Sequence, residues 1–146
     1  MERAADIVSE RRRLASRYFE ALGDLEWLQL PPQIDGFQHG FQSFACLFEP
    51  GDVRQAVDQS NARKIREIGT RRNAWMESLQ QSGVSTRPAT HAVTMLAFYR
   101  QKYEIAPLDF PRAFAANECS ISLPLFHGMT EAEQLHVIDL VRAGPN

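Results

Sequence analysis

The chain has 146 residues and 16.6 kDa, with 44% hydrophobic and 23% charged positions. That is the size and composition of one globular domain with its own core, and it excludes a disordered, collagenous or coiled-coil chain. Sixteen basic against eighteen acidic residues leave a formal charge of -2, so no global positive field draws the protein onto nucleic acid or anionic lipid.

No run reaches the roughly 18 to 20 apolar residues needed to cross a bilayer, and the charged start MERAADIVSERRRLA does not read as a signal peptide. The expectation is a cytoplasmic chain without a membrane partner. Cys46 and Cys119 sit in the apolar runs FACLF and ECSISLPL, without zinc-site spacing, and read as buried free thiols.

From Met1 to about Leu22, the residues Ile7, Leu14, Tyr18, Phe19 and Leu22 recur mostly three, four or seven apart among charges, which predicts an amphipathic helix ending near Gly23. Pro31-Pro32 stops regular pairing, and the aromatic run that follows predicts a strand over Phe41–Glu49. Pro50-Gly51-Asp52 is turn chemistry, and the polar stretch to Asn61 reads as a surface excursion.

A second helix is predicted from Ala62 to Gln81. Its buried face is Ile65, Ile68, Trp75, Met76 and Leu79; Arg63, Lys64, Arg66, Glu67, Arg71 and Arg72 lie opposite; Gly83 is its capping glycine. Val84–Arg87 reads as a short strand stopped by Pro88. Helical spacing recurs over Ala92–Tyr103, a turn of helix fits Asp109–Ala116, and Cys119–Leu123 is the third strand. Thr130-Glu131-Ala132-Glu133 has the form of a capping box for a last helix with Leu135, Ile138 and Val141 buried, ended by Gly144-Pro145.

The order helix, strand, helix, strand, helix, strand, helix predicts an α+β two-layer domain, three short strands packed against helices, with antiparallel and mixed sheets both open.

The chain carries no glycine-rich phosphate loop, HExxH, CxxC or GxSxG. Its two lysines, Lys64 and Lys102, fall among charges on predicted helix surfaces. The four histidines are scattered, none paired at the spacing that puts two ligands on one helix face, so no metal site is expected. Arg11-Arg12-Arg13 and Arg71-Arg72 spread around their helices instead of forming a stripe, which favours solvated faces over a nucleic-acid interface.

One constellation stands apart. Thr86-Arg87-Pro88-Ala89-Thr90-His91 precedes a predicted helix, so a guanidinium, a hydroxyl, an imidazole and free helix amides could converge as an anion site. The plainer alternative is that Thr90 caps the helix and Arg87 pairs with a surface carboxylate.

The second half resembles a known family. GVSTRPATHAV from Gly83 to Val93, then Phe98-Tyr99 and Tyr103, Asp109-Phe110-Pro111, SISLPL from Ser120 to Leu125, and Met129-Thr130 with Glu133-Gln134 are similar to the C-terminal end of the DegT/DnrJ/StrS sugar aminotransferases. The first helix and His39 with Phe41-Gln42-Ser43-Phe44 extend the resemblance over essentially the whole chain. Thr90-His91-Ala92-Val93 resembles the perosamine-synthase-like branch, which acts on nucleotide-linked 4-keto sugars.

The resemblance implies the small domain of a fold-type I aminotransferase. In that family a large N-terminal domain holds pyridoxal phosphate and its Schiff-base lysine, and nothing in these 146 residues matches it. It therefore implies that the chain alone binds no cofactor and is inactive, and that its partners are the large domain and a nucleotide-linked keto sugar, with a homodimer left open. Thr90 and His91 become substrate contacts, Arg87 a diphosphate or sugar ligand, and His39 a residue on the cofactor side. Thr94, Ala89 and Phe126-His127-Gly128 depart from the family pattern. A free-standing regulatory or protein-interaction domain is the alternative.

Overall fold

A computed structural model describes residues 4–145. The elements in chain order are α1 (Ala4–Leu22), β1 (Leu28–Gln29), β2 (Phe44–Phe48), α2 (Pro50–Asp58), α3 (Ala62–Gln81), a 3-10 turn (Val93–Met95), α4 (Ala97–Tyr103), a second 3-10 turn (Pro107–Asp109), α5 (Pro111–Cys119), β3 (Ser120–Leu123) and α6 (Glu131–Ala143). The class is α+β, as expected. The sheet is antiparallel in the order β1-β2-β3, with Leu28 opposite Phe48 and Phe44 opposite Leu123.

β2 alternates as a half-covered strand should. Phe44, Cys46 and Phe48 are buried, and the rings of Tyr18 and Phe19 from α1 meet Phe44 at centroid distances of 4.9 and 5.3 Å. Trp75 of α3 stacks on Phe48 at 5.7 Å. Leu47, of opposite parity, faces a cleft shared with Val53 and Val57 of α2 and Ala115 of α5. The buried Tyr18 hydroxyl donates to the carbonyl of Pro124 at 2.7 Å, which ties α1 to the end of β3. Both cysteines are buried and unbridged. Burial raises both thiols, Cys119 to about 12.

Helix ends follow the residues that signal them. After α3, Gly83 at φ 83° lets its own N–H reach Gln80 O and that of Val84 reach Leu79 O, closing the helix on its last carbonyls. At α6 the Thr130 hydroxyl accepts from the Glu133 N–H at 3.2 Å while the Glu133 carboxylate accepts from the Thr130 N–H at 2.7 Å.

The Thr130 N–H and, at 2.8 Å, the Thr130 hydroxyl both donate to the Glu133 carboxylate and hold it below its ordinary 4.5. A folded value below the unfolded one stabilises the native state above pH 4.5, and that contribution is lost as the pH falls through the folded value. The stability gap between the parent and Glu133→Gln is therefore expected to narrow on acidification in a thermal-unfolding series. A gap independent of pH would mean that the box contributes nothing through ionisation.

Several expectations are corrected. Pro50–Asp58 is helical: proline at the first helical position needs no amide, and Val53 and Ala56 supply a short apolar stripe. Val84–Arg87 is no strand; a single bridge joins Arg87 to Ser122, and the third strand is instead β1. Ala92–Tyr103 splits into a 3-10 turn and the short α4, none of whose residues is buried. Cys119 ends α5 rather than opening β3. On α6 the buried position is Gln134, whose Nε2 donates to Leu14 O at 2.7 Å, and Leu135 is half exposed. Arg72 lies in the core.

Candidate functional site

Two clefts meet along the segment between α1 and β2. The larger, about 740 Å³, lies under the loop from Pro32 to Phe41 and against Arg12, Ser16 and Phe19 of α1. The arginines of α1 hold this loop down. Arg12 Nε donates to His39 O at 3.0 Å and its Nη1 to Gln38 Oε1 at 2.9 Å, while Arg11 Nη1 donates to Phe41 O at 3.1 Å and Gln42 O at 2.8 Å. Two members of the arginine triplet thus act as loop clamps instead of a solvated face. The His39 Nδ1 accepts from the Phe41 N–H at 2.8 Å, closing a tight turn in which Phe41 takes φ 45°.

Phe41 faces the larger cleft and its neighbour Gln42 the smaller one. That second cavity, about 210 Å³, is lined by Gln42, Ser43, Ser85, Thr86, Arg87, Ser122 and the Leu123–Leu125 segment. Arg87 is placed there by the fold: the Ser122 N–H donates to its carbonyl at 2.8 Å, and Pro88 biases it to extended backbone.

The four residues singled out in the sequence do not form one site. Arg87 lines the small cavity and His39 the large one. Thr90 and His91 are exposed and line neither. The helix N-terminus expected after His91 is absent, because only a three-residue 3-10 turn follows, and its cap residue Ala92 makes no side-chain hydrogen bond. The Ala92 N–H is taken instead by Asn117 Oδ1 at 3.0 Å, which fixes the loop to α5. Sequence reading missed Ser43 and Ser122; a signal was there, since Ser120 and Ser122 interrupt an otherwise apolar strand at two-residue spacing.

Beyond His91 the chain carries an uncovered aromatic face. Val93, Leu96, Phe98, Tyr103 and Phe110 are between 48% and 63% exposed. Tyr99 and Tyr103 stack at 6.3 Å, and the Lys102 ammonium lies over the rings of Phe98 and Tyr103 at 5.5 and 5.3 Å.

Elsewhere several charges serve the fold. Arg71 pairs with Glu49, which joins α3 to the start of α2, and Lys64 Nζ lies 3.2 Å from Asp52 Oδ2. His136 Nε2 lies 2.9 Å from Ser82 O. Among the described residues no three His, Cys, Asp or Glu side chains cluster closely enough to hold a metal ion, and no helix is long and apolar enough to cross a membrane.

Residues 1–142 match the model of the DegT/DnrJ/EryC1/StrS aminotransferase family. The chain belongs to this family. The protein MJ1066 of Methanocaldococcus jannaschii is 24% identical over 139 residues, which are 94% of this chain and 32% of that protein. Among solved structures, the aminotransferase TlmJ from Streptoalloteichus hindustanus aligns with a TM-score of 0.75 and 23% identity over 98% of this chain and 33% of its own. The sugar aminotransferase CalS13 from Micromonospora echinospora aligns with 0.71 and 15% over 98% and 32%. The fold is therefore theirs, and the chain spans about a third of their length.

Pyridoxal phosphate is the cofactor of the family. The residues present do not fit it. Holding it as an imine takes a lysine amine inside a cavity. Here Lys64 is ion-paired on the surface of α3, Lys102 sits on the exposed α4, and neither lines either cleft.

Proposed function

We propose that this chain is the C-terminal, substrate-closing domain of a nucleotide-sugar aminotransferase of the perosamine-synthase-like branch, acting with a separate large domain and inactive without it. The observation that carries the reading is the match of nearly the whole chain to about a third of each relative, together with two lysines that are both engaged at the surface. The substrate would be a nucleotide-linked 4-keto sugar in the cytoplasm.

In this reading the chain's own residues bind and orient. Arg87, held at the edge of β3, supplies a fixed positive charge toward the phosphates or the sugar. Thr90 and His91, exposed on the loop that follows, reach the substrate once the large domain is in place, and His39 stands on the cofactor side. The aromatic face from Val93 to Phe110 is the surface that the large domain covers, excluding water from the closed site.

Incubation with pyridoxal phosphate and reduction by borohydride should give no stoichiometric adduct at Lys64 or Lys102, and glutamate should not transaminate a 4-keto sugar nucleotide. A full adduct at either lysine would overturn the reading. In an enzyme that joins this domain to a large one, His91→Ala should lower kcat/KM by about tenfold, the loss of one good hydrogen bond in the transition state. His136→Ala should leave it unchanged, because that ring is already engaged with Ser82 O. Equal effects of the two would refute the role given to His91.

A second reading, a free-standing regulatory or protein-interaction domain, is favoured by the same aromatic face. Light scattering separates the two: a stable dimer of the chain alone supports the second, and a monomer the first.

A further inference from the structure

We infer that Asn117 is a positioning residue, which ties the Thr90–His91 loop to the body of the domain and acts on the reaction through His91. The inference rests on the proposed function for the role of His91, and on the hydrogen bonds around Asn117 for the placement.

His91 is exposed and its ring has no hydrogen-bond partner among the described residues, so its position is set by the backbone on either side. That backbone is pinned at two points. The Ser122 N–H donates to Arg87 O at 2.8 Å on one side, and the Ala92 N–H donates to Asn117 Oδ1 at 3.0 Å on the other. Among the described residues, Pro88, Ala89, Thr90 and His91 make no hydrogen bond of their own between these pins. The Arg87 pin lies beyond Pro88–Thr90, whereas the Asn117 pin grips the residue next to His91. The carbonyl of that same residue accepts from the Met95 N–H at 2.9 Å, so Ala92 is fixed at both ends.

Asn117 is itself held. It lies in the last turn of α5, partly buried, and its Nδ2 donates to Glu118 Oε1 at 3.0 Å. An ionised carboxylate only accepts, so this bond turns the amide nitrogen toward Glu118 and leaves Oδ1 for the Ala92 N–H. Glu118 in turn lies against Gly69 of α3, where an added Cβ would come within 3.2 Å of the Glu118 Cβ and Oε2. The glycine keeps that space open. From Gly69 through Glu118 and Asn117 to Ala92, the packing of α3 on α5 is carried out to an exposed loop.

A misplacement of about 1 Å can cost a reacting group up to about a hundredfold in rate. Here the loss has a ceiling: a residue that acts only through His91 costs no more than removing the imidazole itself.

The test has one arm in the 146-residue chain and one in the enzyme that joins this domain to a large one. In the chain, Asn117→Ala puts a good helix former into α5 and should speed hydrogen exchange of the Ala92 amide by about fivefold, with the thermal midpoint nearly unchanged. In the joined enzyme, Asn117→Ala should lower kcat/KM by about fivefold against about tenfold for His91→Ala, and the two together should be no worse than His91→Ala alone. A merely structural residue would multiply the two losses.

Rescue gives a second readout. Asn117→Asp alone sets a carboxylate against Glu118 and should stay impaired. Combined with Glu118→Gln it reverses the amide–carboxylate pair while keeping an acceptor for Ala92, and should return kcat/KM to within about twofold of the parent. Unchanged Ala92 exchange in Asn117→Ala, multiplied losses, or no rescue by the reversed pair would each overturn the positioning role. An inert His91→Ala would overturn the proposed part of His91 and the positioning role together. A loss in His91→Ala beside an inert Asn117→Ala would overturn the positioning role alone.

Discussion

Phe44→Ala is expected to destabilise the domain by about 3 to 5 kcal/mol, the range for truncating a fully buried phenylalanine. Phe44 is 0% exposed and its ring meets Tyr18, Phe19 and Phe41 at 4.9, 5.3 and 6.1 Å, so it joins β2 to α1 and to the loop over the larger cleft. Few single truncations here would break as many aromatic contacts, and a domain of this size typically has only about 5 to 15 kcal/mol to lose. Ala45→Thr, one residue along the same strand, points outward and should change stability by less than about 0.5 kcal/mol. Urea unfolding of the two variants checks the register as well as the packing: comparable losses would mean that β2 does not alternate as the structure has it.

The larger cleft should change with Phe44 and the smaller one should not. Phe41 packs on Phe44 and sits beneath the loop that carries His39, while Gln42 and Ser43 are held from the other side by the Arg11 guanidinium on the Gln42 carbonyl. The same guanidinium also donates to Phe41 O, so the two clefts share this clamp and differ in their dependence on the Phe44 ring.

Local chemistry in the sequence was the best guide where it was strongest. The capping box of α6, the glycine after α3, the aromatic and apolar run of β2 and the buried cysteines are all signals carried within a few residues. What escaped depends on partners distant in sequence. Val84–Arg87 has strand composition, yet only its last residue reaches β3. The Pro-Gly-Asp of α2 fits a turn as well as a helix start, and only packing of Val53 and Ala56 decides between them. Gln134 and Leu135 exchange roles because Leu14 O, 120 positions away, accepts from the amide. The site suffered most from this: Arg87 was legible by type, but its companions are Ser43, just before β2, and Ser122 of β3, segments that the sequence does not place side by side.

Arg72 shows the same lesson in energetic form. The stripe of α3 running through 65, 68, 72, 75 and 79 passes directly over it, so helical periodicity puts this residue on the buried face although its charge argues for solvent. It is 4% exposed, donates from Nη1 to Ser120 O at 2.6 Å, and leaves Nε unpaired. Burial pulls its pKa below the ordinary arginine value, yet a guanidinium stays protonated, so the charge is held at a cost that one good hydrogen bond only partly offsets. Arg72→Ala should cost about 3 kcal/mol, combining an unfilled volume with a lost charge-assisted hydrogen bond. Arg72→Met fills most of that volume without the burden of a buried charge, and should recover at least about half of the loss. Equal losses in the two variants, measured by urea unfolding, would mean that the hydrogen bond to Ser120 outweighs desolvation. Ser120 is the first residue of β3 and Ser122 lines the small cavity, so the two substitutions also separate fold from site: Arg72→Met should retain most of the stability while freeing the start of the strand on which the Arg87 bridge depends.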